Sequence, residues 1–154
     1  MKKIFLIATV LLVTSAAFSQ TRLRQPKSKE QVLNEQYCSG LFNTPEGIYF
    51  DMLNDNATLS AKSYSNILDW LNGRVAGLQI EIAKGNLRVP FIRNSRAGIF
   101  VDEIAVSPEF LNSLSVNDIA MIKVIKGPFV GAVNSPGGAI AIYTIRGEDD
   151  EDED

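Results

Sequence analysis

The chain contains no histidine and only one cysteine among its 154 residues. Without histidine it lacks the commonest general base, the usual Ser–His and Cys–His nucleophile pairs and the commonest metal ligand. A single cysteine cannot build the usual cysteine–histidine zinc site or an internal disulfide framework. We therefore expect a protein that is not an enzyme and that needs no cofactor or metal, with Cys38 as a small buried apolar side chain.

Long apolar runs are also scarce, and the longest lies at the N-terminus. Met1-Lys2-Lys3 is basic, Ile4–Val13 is apolar over about ten residues, and small and polar residues follow as far as Gln20. This three-part pattern predicts a secretory signal peptide over 1–19, with cleavage after Ser19. A membrane anchor is the alternative, but a spanning helix needs about 20 apolar residues. We expect an exported, periplasmic product of 135 residues.

Basic charge is in short supply. The net charge of the whole chain is −3, and removal of Lys2 and Lys3 with the predicted signal peptide makes it −5. Residues 148–154 are acidic at every position and contribute −7, so the rest of the mature chain carries +2. A near-neutral body lacks the basic patch of nucleic-acid binders, and no nucleic-acid partner is expected. We expect 148–154 to be a disordered acidic tail. Weak calcium binding and contact with a basic rim on a partner are the functional alternatives.

The remaining pattern predicts a small α+β domain over 37–147, preceded by an arm. Residues 20–36 are polar with little periodicity, which predicts a flexible N-terminal arm. A helix is expected over Ser65–Asn72, capped by Ser65 or Asn66 and stopped by Gly73. Alternating or apolar runs predict the strands Leu78–Ile82, Leu87–Ile92, Ile119–Ile125 and Ala139–Ile145, and a short strand within Ile99–Val106 that is broken by Asp102-Glu103. The fold class is therefore a small mixed β-sheet with a few short helices.

Several local signals refine these elements. Pro90 predicts that its strand lies at an edge or carries a bulge. Pro45-Glu46 and Ser107-Pro108 each suit a helix start, the second leading to Phe110, Leu111 and Leu114 packed inward. Asp102 and Glu103 are neighbours whose side chains would point to opposite faces of a strand, so we expect a turn or surface role rather than paired acid–base chemistry.

An ordered series of segments begins at Ser65. Residues 66–80 read as a helix, a "GRVAGLQ" turn and a strand. Ile92-Arg93-Asn94 is similar to an "IRG" strand end, and Ile99–Val106 is similar to "YVVDGVPV" with Glu103 in place of glycine. Residues 111–128 and 138–144 are similar to "NSLNPNDIESIEVLKGP" and "GANGVILITT". In order and spacing, the series to Arg146 resembles the plug domain of TonB-dependent outer-membrane receptors, especially the SusC-like group of Bacteroidota.

The resemblance implies a plug, but the sequence departs from the family at both ends. In the family a long barrel-forming stretch follows the last plug strand, whereas here Arg146-Gly147 leads into the acidic tail. The arm at 20–36 is too polar to show a TonB box, and the leading carboxypeptidase-regulatory-like domain is absent. We therefore expect a stand-alone plug whose barrel is a separate chain.

The expected function is steric and involves no small-molecule substrate. A body of ~85 residues is roughly 30 Å across, and plugged lumens appear in barrels of about 22 strands. A large outer-membrane barrel in trans is the expected partner, for example a protein-conducting channel such as the type IX secretion translocon. The alternative is a structural or adaptor subunit of an outer-membrane complex without a gating role. The residues expected to contact the barrel or form the plug motif are Arg74, Arg93, Asp102, Glu103, Lys126, Gly127, Pro128, Gly137 and Gly138.

Overall fold

The computed structural model describes residues 26–129 and 135–146. Two α-helices lie in these residues, α1 (Lys29–Tyr37) and α2 (Ile67–Leu71). Three 3₁₀ helices span Asn56–Ser63, Phe110–Asn112 and Val116–Asp118. The strands are β1 (Ile48–Asp51), β2 (Leu78–Ala83), β3 (Leu87–Ile92), β4 (Ser95–Val101), β5 (Ile104–Val106), β6 (Ile119–Lys126) and β7 (Gly138–Thr144).

The strands form one mixed sheet in the order β1-β6-β7-β4-β3-β2. All pairs are antiparallel except β4 and β7, which run parallel, and β5 pairs with the C-terminal half of β4. The predicted class, α+β with a mixed sheet and a few short helices, is confirmed. The adjacent strands β6 and β7, which we call the central strands, are buried along almost their whole length.

Both faces of the central strands are covered. On one face, Ile122, Val124 and Ile140 pack with the α2 residues Leu68 and Trp70 in the larger core. The second core joins Tyr37, Cys38 and Phe42 to the opposite side chains of β6 and β7, among them Met121, Ala141 and Tyr143. The apolar run at Ile119–Ile125 therefore forms a strand buried on both faces, as expected for such a pattern.

Helix α2 begins and ends where the sequence predicts. The Asn66 side chain accepts a hydrogen bond from Leu68 N at 2.9 Å, which caps the first turn. Asp69 lies in that turn and pairs with Arg88 of β3 at 2.7 Å. Gly73 follows the helix with a φ of +83°, a conformation that glycine adopts without strain.

The prediction of a flexible arm over 20–36 is wrong for residues 29–36. Ser28 and Gln31 form a capping box that starts α1. Leu33 and Tyr37, four residues apart, are buried in the second core. Two buried apolar residues in about two helical turns do not give a recognisable helical repeat in the sequence. The helix is therefore stabilised by its packing against the sheet rather than by a strong local preference. The predicted signal peptide, residues 20–25 of the predicted arm and the predicted acidic tail lie outside the described residues.

Two further local predictions fail. Pro45-Glu46 does not start a helix; β1 follows instead and pairs with β6 through Ile48–Asp51 and Met121–Val124. Phe110 is 46% exposed, although Leu111 is buried as expected. A single 3₁₀ turn has three residues per turn and presents only one of them to the core.

Pro90 lies neither on an edge strand nor in a bulge. It is buried in β3 and opposite Ile80 of β2. On its other side, β4 pairs only with Phe91 and Ile92. The sheet therefore opens beside Pro90, and a residue without an N–H fits because no β4 acceptor faces it.

Candidate partner-binding surface

The strand registers bring six of the nine predicted contact residues to one end of the sheet. Ile92 pairs with Ser95 across the β3–β4 turn, and Gly138 pairs with both Ala97 and Lys126. Residues 93–96, 126–129 and 135–138 therefore lie side by side, and we call this surface the glycine end. It holds Arg93, Lys126, Gly127, Pro128, Gly137 and Gly138.

The backbone of the glycine end is tightly packed. Gly137 N donates to Arg96 O at 3.0 Å, and Gly127 N donates to Gly137 O at 3.1 Å. A Cβ on Gly137 would lie 2.7 Å from the carbonyl carbon of Ser95. Gly138 has a φ of +116°, and its Cβ would collide with Ile125 O. Both glycines are thus required by the close approach of β4, β6 and β7.

Three cations line the glycine end: Arg93, Arg96 and Lys126. Arg93 and Arg96 are exposed, and Lys126 is half-buried. Arg93 and Asn94 have φ values of +51° and +62°, which form the two-residue turn that joins β3 to β4. Within residues 26–129 and 135–146, none of the three cations belongs to an ion pair. The sequence did not predict Arg96 as a member of this surface. It lies there because Arg96 pairs with Phe91 beside the β3–β4 turn.

Arg74 is exposed, but its guanidinium contacts the body of the protein. Its guanidinium donates to Trp70 O at 2.6 Å and lies 4.6 Å from the centre of the Trp70 ring. The Tyr64 ring is 5.9 Å away on a second side. Stacking of this kind fixes the α2 C-terminus, because a guanidinium over an aromatic face is attracted by its quadrupole.

Asp102 and Glu103 lie at the opposite end of the sheet, in the turn that the sequence predicted. Their φ values of +47° and +69° form the two-residue β4–β5 turn. Asp102 accepts hydrogen bonds from Thr144 N at 3.0 Å and Thr144 Oγ1 at 2.7 Å. This carboxylate thus anchors the end of β7.

Glu103 anchors the chain after α1. Its carboxylate accepts three successive backbone N–H groups, from Ser39 at 3.0 Å, Gly40 at 2.9 Å and Leu41 at 3.1 Å. Consecutive N–H groups converging on one anion form a concave donor site. Glutamate at a position where the plug resemblance has glycine therefore has a structural role, which is to fasten residues 39–41 to the β4–β5 turn.

Lys123 is a buried cation that the sequence did not predict. It lies in the middle of β6 and is fully buried. Its Nζ donates to Asn34 Oδ1 at 2.7 Å, Phe42 O at 2.6 Å and Thr44 O at 2.6 Å. All three acceptors are neutral, and burial lowers the pKa of the Lys123 amine. The amine therefore ties α1 and the chain after it to the central strand.

Tyr49 completes this network. Its hydroxyl lies 3.1 Å from Asn34 Oδ1 and 3.0 Å from Thr44 O. The Lys123 Nζ lies 4.8 Å from the centre of the Tyr49 ring. Burial raises the pKa of Tyr49 to about 12, so the hydroxyl stays neutral at physiological pH.

Cys38 is buried in the second core, and burial raises the pKa of its thiol. We expect the thiol to react with a disulfide reagent at pH 8 at least about 100-fold more slowly in the native chain than in the urea-unfolded chain, because only the exposed thiolate attacks. A chain carrying Cys38→Ser and Ser39→Cys is the control, since residue 39 is exposed. Equal rates for native wild type and this control would contradict the buried position.

The described residues show no helix that combines the length and apolarity needed to cross a bilayer. The same residues hold no grouping of three or more His, Cys, Asp or Glu side chains suited to a metal ion.

Comparison of the structure finds similar proteins among solved structures. No family model and no curated protein matches the chain. The RagAB peptide importer in the "open-open" state matches with a TM-score of 0.51 and 21% identity, over 65% of this chain and 12% of that chain. The ferric yersiniabactin uptake receptor FyuA from Yersinia pestis matches with a TM-score of 0.50 and 18% identity, over 66% of this chain and 17% of the receptor.

These matches define the class of fold. The chain spans less than a fifth of either protein, so the likeness concerns the fold of a part of each. The fold is plug-like, in agreement with the resemblance seen in the sequence, and the neighbours are an importer and a receptor.

Proposed function

We propose that this protein is a non-enzymatic plug that binds and sterically obstructs a large outer-membrane β-barrel. The plug-like fold is the observation that carries this proposal. A wide aqueous channel needs a rigid obstruction, and the double-covered central strands provide one. The barrel is a separate chain in this proposal, and the plug is exported to the periplasmic side of the outer membrane.

The glycine end supports contact with the barrel wall. Barrel interiors are polar, and Arg93, Arg96 and Lys126 have no ion pair within the described part of the chain. Charge pairs that form at a partner's wall raise the association rate and fix orientation more than they raise affinity. Of the nine residues predicted from sequence, those at the glycine end are proposed as the barrel contacts. Arg74, Asp102 and Glu103 are proposed to support the plug fold.

The host barrel that we propose is a protein-conducting channel, such as the translocon of type IX secretion. Such a channel has a wide bore that must be closed between transport events. The near-neutral body, with a charge of +2 after the signal peptide and acidic tail are set aside, suits reversible seating in that bore.

Charge reversal at the glycine end tests the barrel contact. We expect a tagged chain purified from detergent-solubilised envelopes to recover a large outer-membrane barrel protein. Arg93→Glu with Arg96→Glu should lower that recovery by at least about tenfold, because each reversal replaces an attraction with a repulsion. Lys62→Glu with Lys84→Glu is the matched control, since both lysines are exposed and lie away from the glycine end.

A deletion strain separates obstruction from a purely structural role. Obstruction predicts increased entry of an antibiotic too large for ordinary porins, restored by wild-type chain but not by the doubly reversed variant. An adaptor subunit predicts unchanged permeability. Absence of any large barrel protein from the wild-type purification would overturn the proposal.

A further inference from the structure

Strand β2 is a sheet edge without the usual protection. Among the described residues only β3 pairs with it. The strand contains no proline and no lysine, and its register with β3 runs without a bulge. Ile82 is 68% exposed. Edge strands of this kind are templates for pairing with another chain.

The outward-facing backbone groups of β2 can be assigned. Gly77 O accepts a hydrogen bond from Arg93 N at 2.9 Å, so the odd-numbered residues of this strand bond toward β3. Ile80 lies opposite Pro90, which has no backbone N–H and so cannot donate a hydrogen bond to Ile80 O. The N–H and C=O groups of Ile80 and Ile82 therefore point to the free edge. Leu78 N is already bonded to Val75 O at 3.0 Å, which leaves Leu78 O available.

We propose that β2 pairs antiparallel with β2 of a second copy of this chain, about a two-fold axis through Ile80. Ile80 then lies opposite Ile80 of the second copy, and Leu78 lies opposite the second copy's Ile82. Each Ile80 N–H donates to the Ile80 carbonyl of the other copy. Each Ile82 N–H donates to the Leu78 carbonyl of the other copy. The two hairpins form a continuous four-stranded segment.

The side chains of β2 are self-complementary in this register. Gln79 lies opposite Glu81 of the second copy, so the amide donates to a carboxylate, and symmetry repeats this contact. On the other face, the exposed Ile82 lies beside Leu78 of the second copy, which is packed in the core. In each copy, the exposed Ile82 is thereby covered by the buried Leu78 of the other copy.

Neighbouring registers are less favourable. The backbone groups at the free edge belong to even-numbered residues, so in any other register an even-numbered residue must again face an even-numbered one. The two-fold axis can therefore move only from one residue to the next. An axis at Glu81 sets the two Glu81 residues directly opposite with their Cα atoms about 4.5 Å apart, so the like charges repel. An axis at Ile82 requires Lys84 to pair with Ile80, but Lys84 belongs to the β2–β3 turn. An axis at Gln79 requires Ala76 to pair with Ile82, but Ala76 belongs to the turn before β2. The axis at Ile80 is therefore preferred over these three.

Removal of one outward N–H tests the pairing. The purified chain from Gln20 onward should show a reversible monomer–dimer equilibrium by sedimentation between about 1 and 200 µM, the range of weak interfaces. Ile82→Pro should weaken dimerisation by at least about tenfold, because two interface hydrogen bonds are lost and no bond to β3 is affected. Ile82→Val keeps the N–H and should dimerise like wild type. Circular dichroism and Trp70 fluorescence report on folding of each variant.

Cysteine cross-linking tests the register and does not depend on the proline variant. An oxidised mixture of Gln79→Cys and Glu81→Cys chains should form a mixed disulfide, and each variant alone should cross-link at least about tenfold less. Cys38 does not compete because it is buried. A wild-type chain that stays monomeric to 200 µM, or Glu81→Cys cross-linking alone as well as the mixture, overturns the proposal. These measurements use no barrel, so they are independent of the proposed function.

Discussion

Replacement of Gly137 by alanine is expected to lower the free energy of unfolding by about 3–5 kcal/mol. The new Cβ would lie 2.7 Å from the Ser95 carbonyl carbon and 2.9 Å from Arg96 O, both of them backbone atoms. Relief would require β7 to move away from β4, which breaks the hydrogen bond from Gly137 N to Arg96 O. Urea denaturation followed by Trp70 fluorescence measures the change.

Gly85→Ala is the matched control for this substitution. Gly85 has a φ of +80°, and a Cβ there meets no atom within 4 Å. The expected cost is therefore the conformational strain alone, about 1–2 kcal/mol. Equal losses at the two positions would show that the approach of β4 to β7 is looser than described, and the glycine end would then lack its rigid backbone.

The pair Gly137-Gly138 shows what a sequence can and cannot predict. The sequence predicts a strand over Ala139–Ile145, and the structure places β7 at Gly138–Thr144, so one of the two glycines lies in the strand. The reason for them is the backbone of β4, which is parallel to β7 and about 40 residues earlier in the chain. Local patterns carry no information about that parallel pairing, so the requirement for glycine appears only in the folded sheet.

The burial of strand β6 could likewise be predicted from the sequence, but the partners of its one charged interior residue could not. The apolar run Ile119–Ile125 predicts burial on both faces, and the structure confirms it. Lys123 interrupts that run, and nothing local shows where its amine goes. One partner, Asn34, lies in residues 20–36, whose polar composition predicts flexibility, and the other two, Phe42 and Thr44, follow in the predicted domain. The helix there forms because the sheet supplies its apolar and polar contacts, which is tertiary override of a weak local pattern.

The roles of the charged residues could not be predicted from the sequence. The plug resemblance points to Arg93, on a predicted strand end, and to the pair Asp102-Glu103. The registers then separate them: the carboxylates are used within the chain, whereas the cations of the glycine end have no ion pair in the described ranges. That distinction depends on which backbone groups come close, and residue type alone does not determine it.

Lys123→Met is expected to lower the free energy of unfolding by about 3 kcal/mol. Methionine fills much of the same space, but it removes the three hydrogen bonds from the amine to Asn34 Oδ1, Phe42 O and Thr44 O. The Tyr49 hydroxyl and Thr44 N still donate to these acceptors, so the loss is that of hydrogen bonds to a charged group, roughly 1.5–3 kcal/mol each, partly offset because an ammonium no longer has to be desolvated. Lys84→Met, at an exposed turn, should change stability by no more than about 0.5 kcal/mol. Urea denaturation at pH 7 compares the three chains.

The pH dependence gives this prediction a second readout. Burial lowers the native pKa of Lys123 below its ordinary value of 10.5. Between the native pKa and 10.5 the unfolded chain therefore binds more protons, so this group makes stability rise with pH in that window. The stability difference between wild type and Lys123→Met should increase with pH there, because other titrating groups cancel in the difference. A difference that stays constant or falls would show that the amine is not desolvated, and the tie between α1 and β6 would then have to come from the apolar contacts of the second core alone.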